Sequence, residues 1–502
     1  MEAIALRTNY LFRSTKGLTL VAITMIALTT AFFGLISGPT EGFGIRDVVV
    51  EATGMRLVQE EREGRIIMLY HSIAMAVVAI EVYFITGIVS MKKHQQSTIN
   101  GIVTAGYLLT MIFGLWFAYF GRNFVFHGVF IFGNSLMFLG GVLLAAALWP
   151  WKKEHYIEES KYSRTKRGVN LERVAFFTMA VATLGSSLFG AVAAANLGTG
   201  FESFLAEDII REPEKTVLQK SIIGHLHIML TLIAIAITLI VGRWLDFKGV
   251  LHKMAMPMMI IGTIVISVGA WSVVLFEWAH TIIYVGSVLV MLAALFFVIY
   301  SWDMLIRSGL KEKGIKKGKF GQKLRALLRD PLKFGVGWQM VFMNFTVSGV
   351  GIFMAAKLDE IFRIWPHREE RVTLTGHWHI LAGLIATIIL LYYADRVGLK
   401  GRARKWFGWT LIIASDIAFA SVTIFSMKRL FVTESAQQPL VNWTMLLVDI
   451  GLAIILVALA MFLIWSIYDL FKKNGRWSTE LVESDQEDQT IAEPVMVQEV
   501  ES

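Results

Sequence analysis

The sequence contains no cysteine, and it is poor in charge and in proline: only 17% of its 502 residues are Asp, Glu, Lys or Arg, and only 8 are Pro. Without thiolates the chain cannot bind an iron–sulfur cluster, attach a c-type haem or form a thiolate copper centre. Any metal must therefore be bound by His, carboxylate or Met. The basic residues that give a net charge of +8 lie between apolar segments, where membrane orientation explains them, so we expect no nucleic-acid partner.

Long apolar segments are abundant, since 55% of the residues are hydrophobic. Runs of about 20 apolar residues, the length that crosses a bilayer as a helix, recur along the chain. They predict an all-α integral membrane protein with twelve transmembrane helices in contact with lipid. The predicted spans are Leu18–Ile36, Ile66–Met91, Ile102–Phe120, His127–Trp149, Val174–Ala195, Ser221–Val241, Met254–Phe276, His280–Tyr300, Val336–Ala356, Leu374–Tyr393, Trp406–Ser426 and Trp443–Ile467.

The loops between these spans alternate in charge. Basic loops such as Arg307–Lys333 fall on one side, and acidic loops such as Glu202–Glu214 fall on the other. The positive-inside rule then predicts a multi-pass protein with both termini in the cytoplasm. We expect the protein in a prokaryotic plasma (inner) membrane. We expect residues 1–472 to form the membrane domain and the acidic residues 473–502 to form a disordered cytoplasmic tail.

The spans fall into three repeats of four helices, at about residues 18–149, 174–300 and 336–467. In each repeat the second helix begins with histidine, and His71, His227 and His379 align in register. Repeats of this kind predict three pseudo-symmetric four-helix arcs with clefts between them. The histidines would then lie at one membrane depth, near the outer face.

Two of the second helices carry a His-x-His pair: His225 with His227, and His377 with His379. An α-helix turns about 100° per residue, so the two members of a pair face different neighbours and one helix can serve two sites. A neutral imidazole buried in a membrane needs a bonding partner, and a metal is a frequent one.

Twelve spans in three arcs, with His71 on span two and His377-Trp378-His379 on span ten, resemble subunit I of the heme-copper oxidase superfamily. The setting of the pair resembles the nitric oxide reductase branch. The resemblance implies that His71 and His379 bind a low-spin haem b and that His377 binds a second haem. It also implies that Lys428 and Arg429 contact haem propionates.

The sequence departs from this family at the copper site. Span seven carries Met residues where the family has a His pair, so the copper site is in doubt. Pseudo-symmetry predicts that His227 meets His377, which would make the second haem bis-His as well. Such an iron has no open position for a gas, so electron transfer alone is expected.

Several further residues have two interpretations. His225 is either a hydrogen-bonded structural residue or part of a third haem or metal site between spans two and six. His127 and His280 are either ordinary interfacial residues or contacts for a propionate, a quinol or a docked donor. Arg122 lies where Lys428 and Arg429 do in the third repeat, which suits a propionate contact.

Three carboxylates, Glu81, Asp416 and Asp449, lie within predicted spans. An ionised carboxylate is costly in a membrane, so a proton path is one interpretation. The other is a hydrogen-bonded side chain that joins helices.

These observations leave three hypotheses. The first is a b-type cytochrome with two bis-His haems, or three if His225 also binds one. It would pass electrons between the quinone pool and a cytochrome or other redox subunit on the outer face. The second is a nitric oxide or oxygen reductase with an unconventional haem or metal site. The third is a haem-free proton or solute transporter, which the lack of matching broken helices disfavours.

Overall fold

The fold is described by a computed structural model that covers residues 2–37, 43–58, 62–121, 123–157, 165–166, 168–195, 217–472, 475 and 477. Within these residues the chain forms sixteen α-helices, and strand is limited to one two-stranded hairpin, Thr165–Lys166 with Val169–Asn170. Arg122 and nearly all of the predicted tail lie outside the described residues.

The helices follow the order of the repeats. The first repeat contains α1 (Glu2–Arg13), α2 (Thr15–Ser37), α3 (Ile45–Thr53), α4 (Arg62–Ile88), α5 (Lys93–Phe120) and α6 (Phe124–Leu148). The second contains α7 (Leu171–Ala195), α8 (Val217–Trp244), α9 (Val250–Ser272) and α10 (His280–Lys311). The third contains α11 (Phe320–Leu327), α12 (Pro331–Val341), α13 (Ser348–Ala356), α14 (His367–Arg396), α15 (Gly401–Ser426) and α16 (Glu434–Phe471).

Twelve helical segments of the described chain are long and apolar enough to cross a membrane, which confirms the predicted all-α multi-pass architecture. The continuous segment Pro331–Ala356 counts as one of them. Several helices are longer than the apolar runs. For example, α5 begins at Lys93 rather than Ile102, and α16 covers Glu434–Phe471 rather than Trp443–Ile467. Hydropathy detects only the part of a helix that suits lipid, whereas the helix continues into its polar flanks.

The repeats close into a ring. The last two helices of each repeat pack against one another, as α5 with α6, α9 with α10 and α15 with α16. Neighbouring repeats meet where α6 contacts α7, α10 contacts α12 and α16 contacts α2. Inside the ring, α8 contacts both α4 and α14. The three helices that carry the His motifs therefore meet at the centre of the bundle.

Span nine is not a regular α-helix. A π-helical segment, Phe342–Val347, joins α12 to α13, and a second one, Leu358–Phe362, follows α13. The wider π turn inserts a residue into the helix and changes the direction of the side chains beyond it. Segments of this kind occur frequently at functional sites.

The end of the bundle that carries Glu2 and Lys472 is held by buried and half-buried arginines. Arg404 on α15 forms ion pairs with Asp330, which caps α12, and with Asp395 near the end of α14. Trp244 at the end of α8 donates a 2.7 Å hydrogen bond to the same Asp395. Arg173 donates to the carbonyl oxygens of residues at the ends of α4 and α6. These contacts fix the helix ends opposite the histidines.

Candidate functional site

The five motif histidines lie on the inner helices α4, α8 and α14, near the ends at which these helices begin. We call this end of the bundle, opposite Glu2 and Lys472, the His end. Each occurs within the first four turns of α4, α8 or α14. Because these three helices run in the same direction and begin at the same end, their imidazoles lie at similar depth. The histidines are His71, His225, His227, His377 and His379.

His71 on α4 and His225 on α8 face each other across the interface between their helices. Their ring centroids are 6.3 Å apart and their planes differ by only 12°. His71 Nδ1 forms a 2.9 Å hydrogen bond with the carbonyl oxygen of Ile67, and His225 Nδ1 forms one of 2.9 Å with that of Ser186. Both rings are partly buried.

This geometry suits two ligands of one metal ion. Two imidazoles bound to opposite sides of one ion have centroids about 6 Å apart, because each metal–nitrogen bond is about 2 Å and each nitrogen lies about 1 Å from its ring centre. A carbonyl bonded to Nδ1 fixes the tautomer that places the lone pair on Nε2, the usual metal-binding atom. The two carbonyls also hold both rings in orientation.

Gly190 on α7 makes room for the His225 ring. A Cβ atom at this position would lie 2.4 Å from His225 Cε1 and 2.5 Å from its Nδ1. Such contacts are far shorter than van der Waals separation, so a side chain here would displace the imidazole. The glycine belongs to the site although it has no polar group to contribute.

His379 lies beside Tyr70, the residue that precedes His71. The Tyr70 hydroxyl and His379 Nε2 form a hydrogen bond, and their ring centroids are 5.6 Å apart. Both side chains are exposed, although they belong to inner helices. The pair therefore lies at an exposed position where α4 and α14 approach each other.

His227 and His377 both contact Trp378. The His227 ring meets the indole edge to face at a centroid distance of 4.8 Å, and the His377 centroid lies 5.5 Å from that of Trp378. His227 is exposed, whereas His377 is partly buried. The indole thus packs against both members of the second predicted haem pair.

The contacts of the structure differ from the predicted pairing. His71 meets His225, which the sequence suggested only as a third site, and His379 meets Tyr70. The pairs His71 with His379, and His227 with His377, stay predictions. One residue of helix rotation moves a side chain by about 100°, so sequence register alone does not decide which neighbour a histidine meets.

Of the two interfacial histidines, His127 packs between aromatic rings. Its ring lies nearly parallel to those of Phe117 and Phe130, with centroids 4.9 and 6.4 Å away. His280 begins α10 and is exposed at the His end. Their suggested contacts with a quinol or a propionate stay predictions.

Lys428 and Arg429, predicted to contact propionates, both pair with Glu369 in the first turn of α14. Lys428 Nζ lies 3.9 Å from the carboxylate, and the side chain of Lys428 is buried. The positive charge of Lys428 and Arg429 is thus partly balanced by the carboxylate of Glu369. A propionate here would share these cations with Glu369.

The three membrane carboxylates have different surroundings. Asp416 accepts a 2.7 Å hydrogen bond from Trp338 Nε1 and a 3.0 Å hydrogen bond from Gln339 Nε2, which is what a helix-joining role requires. Glu81 is only 4% exposed and its Oε1 has no hydrogen-bond partner among the described residues. Asp449 is partly exposed. A role in proton transfer stays a prediction for all three.

Within the described part of the chain, no three His, Asp or Glu side chains come together in the manner of a conventional metal site. Comparison of the chain with protein-family models and with curated proteins found no match.

Proposed function

We propose that the protein is a membrane b-type cytochrome that transfers electrons between the quinone pool and a redox partner at the His end. In this proposal His71 and His225 would hold one haem through their imidazoles. The observation that carries it is the near-parallel pair of imidazoles, 6.3 Å apart, with each Nδ1 bonded to a carbonyl oxygen. The absence of cysteine is consistent with a haem that is not covalently attached.

The residues around the pair suit electron transfer rather than gas chemistry. A haem with two His ligands supplies one-electron transfer and has no open coordination position. The carbonyls of Ile67 and Ser186 hold the rings in place, so little reorganisation would accompany a change of charge. Both rings are partly buried at the interface of α4 and α8.

The exposed side chains next to this pair offer polar groups to a quinol. Tyr70 is 40% exposed and hydrogen-bonded to His379, and it directly precedes His71 in the chain. A phenol and an imidazole can each exchange a hydrogen bond and a proton with a quinol hydroxyl. An electron donor bound here would lie beside the proposed ligand.

The test is an absorption spectrum of the purified protein, oxidised and dithionite-reduced, with and without carbon monoxide. We expect a reduced-minus-oxidised spectrum of b-type haem that carbon monoxide does not change. Carbon monoxide binding by the unmodified protein would favour a gas reductase instead. Protein purified from membranes of haem-sufficient cells without any haem would contradict the proposal and leave the transporter hypothesis.

A further inference from the structure

The connection between α10 and α12 is tied to the bundle at the end opposite the His end. We call residues 311–330 of this connection the α11 segment. A Cβ atom at Gly309, near the end of α10, would lie 2.8 Å from the Cβ atom of Ala326 on α11, so the two helices are in close contact. Arg329, just after α11, forms an ion pair with Glu312, just after α10. These contacts fix α11 against the last turns of α10.

The side of α11 that faces away from α10 is apolar and exposed. Phe320 and Leu324 are 82% and 43% exposed. They are four residues apart, so they project from the same side of the helix, and this side is roughly opposite to Ala326. Two large apolar side chains exposed beside membrane-spanning helices suit insertion into lipid.

Basic residues surround this apolar side. The α11 segment contains eight basic residues and two acidic ones. Both acidic residues are already paired, Glu312 with Arg329 and Asp330 with Arg404 on α15 at 2.7 Å. The other basic side chains of the segment are exposed: Lys311, Lys313, Lys316, Lys317, Lys319, Lys323 and Arg325. The segment therefore presents an excess of positive charge that its own carboxylates do not balance.

An aromatic cluster marks the membrane boundary next to α11. The Phe334 ring on α12 has its centroid 6.0 Å from that of Trp302 on α10 and 5.8 Å from that of Trp409 on α15. The Trp338 centroid lies 6.4 Å from that of the same Phe334. All four residues lie within about three turns of the helix ends. Because tryptophan is enriched where the hydrocarbon meets the headgroups, the cluster puts the α11 segment at the level of the headgroups.

We propose that the α11 segment binds an anionic phospholipid of the leaflet at this end of the bundle. Phe320 and Leu324 insert between the acyl chains just below the headgroups. Lys319 and Lys323, each directly before one of these apolar residues, contact the lipid phosphate. An amphipathic helix with cations beside an apolar stripe binds an anionic membrane surface through both features.

The positive charge of the segment would also attract the acidic residues 478–502 of the same chain. Such a peptide balances the charge of the lysines, whereas a lipid also covers Phe320 and Leu324 with its acyl chains. The exposed apolar stripe therefore favours lipid as the occupant, and the experiment distinguishes the two.

The experiment titrates the delipidated full-length protein, in a non-ionic detergent, with dioleoyl phosphatidylglycerol or with the zwitterionic dioleoyl phosphatidylcholine. Native mass spectrometry resolves the protein with each number of bound lipids and gives the affinity for the first one. The charge variant is Lys319→Gln with Lys323→Gln, and the apolar variant is Phe320→Ser with Leu324→Ser.

The matched control is Lys152→Gln with Lys153→Gln. These two lysines are exposed in the connection between α6 and α7, at the same end of the bundle. All substituted side chains are exposed, so every variant is expected to fold, as gel filtration and thermal unfolding will verify.

We expect the wild-type protein to bind phosphatidylglycerol more tightly than phosphatidylcholine. The charge variant should bind phosphatidylglycerol about 25-fold more weakly, because each lysine near an anionic surface strengthens binding about fivefold. The apolar variant should bind both lipids more weakly, since less apolar surface is removed from water. The control variant should bind both lipids as the wild type does.

Equal phosphatidylglycerol affinity in the charge variant and in the control variant would overturn the proposal. Equal affinity of the wild type for the two lipids would do so as well. The haem spectrum should be the same in all variants, because the segment lies at the opposite end of the bundle from His71. Failure of the haem proposal would instead appear as a missing haem spectrum alongside intact lipid binding.

A further full-length variant, Asp485→Asn with Glu487→Gln and Asp488→Asn, tests the acidic residues as the occupant. If they cover the lysines, this variant should bind phosphatidylglycerol more tightly than the wild type, and the assignment to lipid would be wrong. An unchanged affinity supports the assignment.

Discussion

His71 and His225 lie with their imidazole rings nearly parallel, 12° apart in orientation and 6.3 Å apart at their centroids, across the interface of α4 and α8. Each ring is held through Nδ1 by a carbonyl oxygen of a different helix turn: Ile67 on α4 for His71, and Ser186 on α7 for His225. Three helices thus cooperate to orient the two imidazoles. This arrangement joins the first repeat to the second at the depth of the other motif histidines.

The first prediction concerns Gly190, which lies against the His225 ring and has no side chain. Gly190→Ala should displace the imidazole, because the added Cβ would lie 2.4 Å from it. We expect the low-spin haem of this site to be lost or converted to a high-spin form, as measured by optical and electron paramagnetic resonance spectra of the purified variant.

The control is Gly128→Ala on α6, where a Cβ would have no atom within 4 Å. This variant should retain the spectrum of the wild type. If Gly190→Ala also retains it, His225 is not a ligand held in the position that the structure describes.

The second prediction concerns Asp416, whose two hydrogen bonds join α15 to α12. Asp416→Ala would leave Trp338 Nε1 and Gln339 Nε2 without this acceptor. Trp338 is exposed and Gln339 Nε2 keeps a hydrogen bond to Ser415, so we expect a cost of about 1 kcal/mol, the net value of a typical hydrogen bond. Asp416→Asn keeps one acceptor oxygen and should cost less. The measurement is the thermal unfolding midpoint in detergent.

If Asp416 transfers protons instead, the expected effect is on activity and not on stability. Asp416→Asn would then slow any proton uptake linked to electron transfer while leaving the unfolding temperature unchanged. Asp449→Asn, at a partly exposed carboxylate of α16, is the matched comparison within the membrane.

The third prediction concerns Arg404, which contacts Asp330 with two nitrogens, Nη2 at 2.7 Å and Nε at 3.1 Å, and also pairs with Asp395. Arg404→Ala leaves two partly buried carboxylates without their cation. We expect a loss of about 2–3 kcal/mol, somewhat below the 3–5 kcal/mol of fully buried pairs.

Arg404→Lys should recover only part of this loss, because an ammonium group cannot reproduce the two-pronged contact. Unfolding midpoints of the two variants and of Arg402→Ala, an exposed neighbour, provide the comparison. Equal midpoints for Arg404→Ala and Arg402→Ala would mean that the network does not stabilise the fold. The haem spectrum should not change, since Arg404 lies at the opposite end of the bundle from His71.

The sequence predicts the twelve spans because a membrane imposes apolar runs of nearly fixed length. The sequence also predicts the order of the three repeats, because a histidine occupies the same position in the second helix of each repeat. The sequence does not predict which histidines meet, since contacts depend on the rotation of α4, α8 and α14 about their axes. Tyr70, for example, carries no motif, and only the packing places it against His379.

Gly190 was missed for a related reason. A glycine that makes room for the His225 ring cannot be told in the sequence from a glycine of ordinary helix packing, because only the structure shows that a Cβ there would lie 2.4 Å from the imidazole.

The measurement that tests the central claim most directly is the low-temperature electron paramagnetic resonance spectrum of the oxidised protein, with single alanine variants of His71, His225 and His379. We predict a low-spin ferric haem signal in the wild type that both His71→Ala and His225→Ala abolish or convert to high spin. His379→Ala should leave that signal in place, since His379 contacts Tyr70 rather than the proposed iron. Loss of the signal in His379→Ala together with its retention in His225→Ala would contradict the account and restore the pairing that the family resemblance implies.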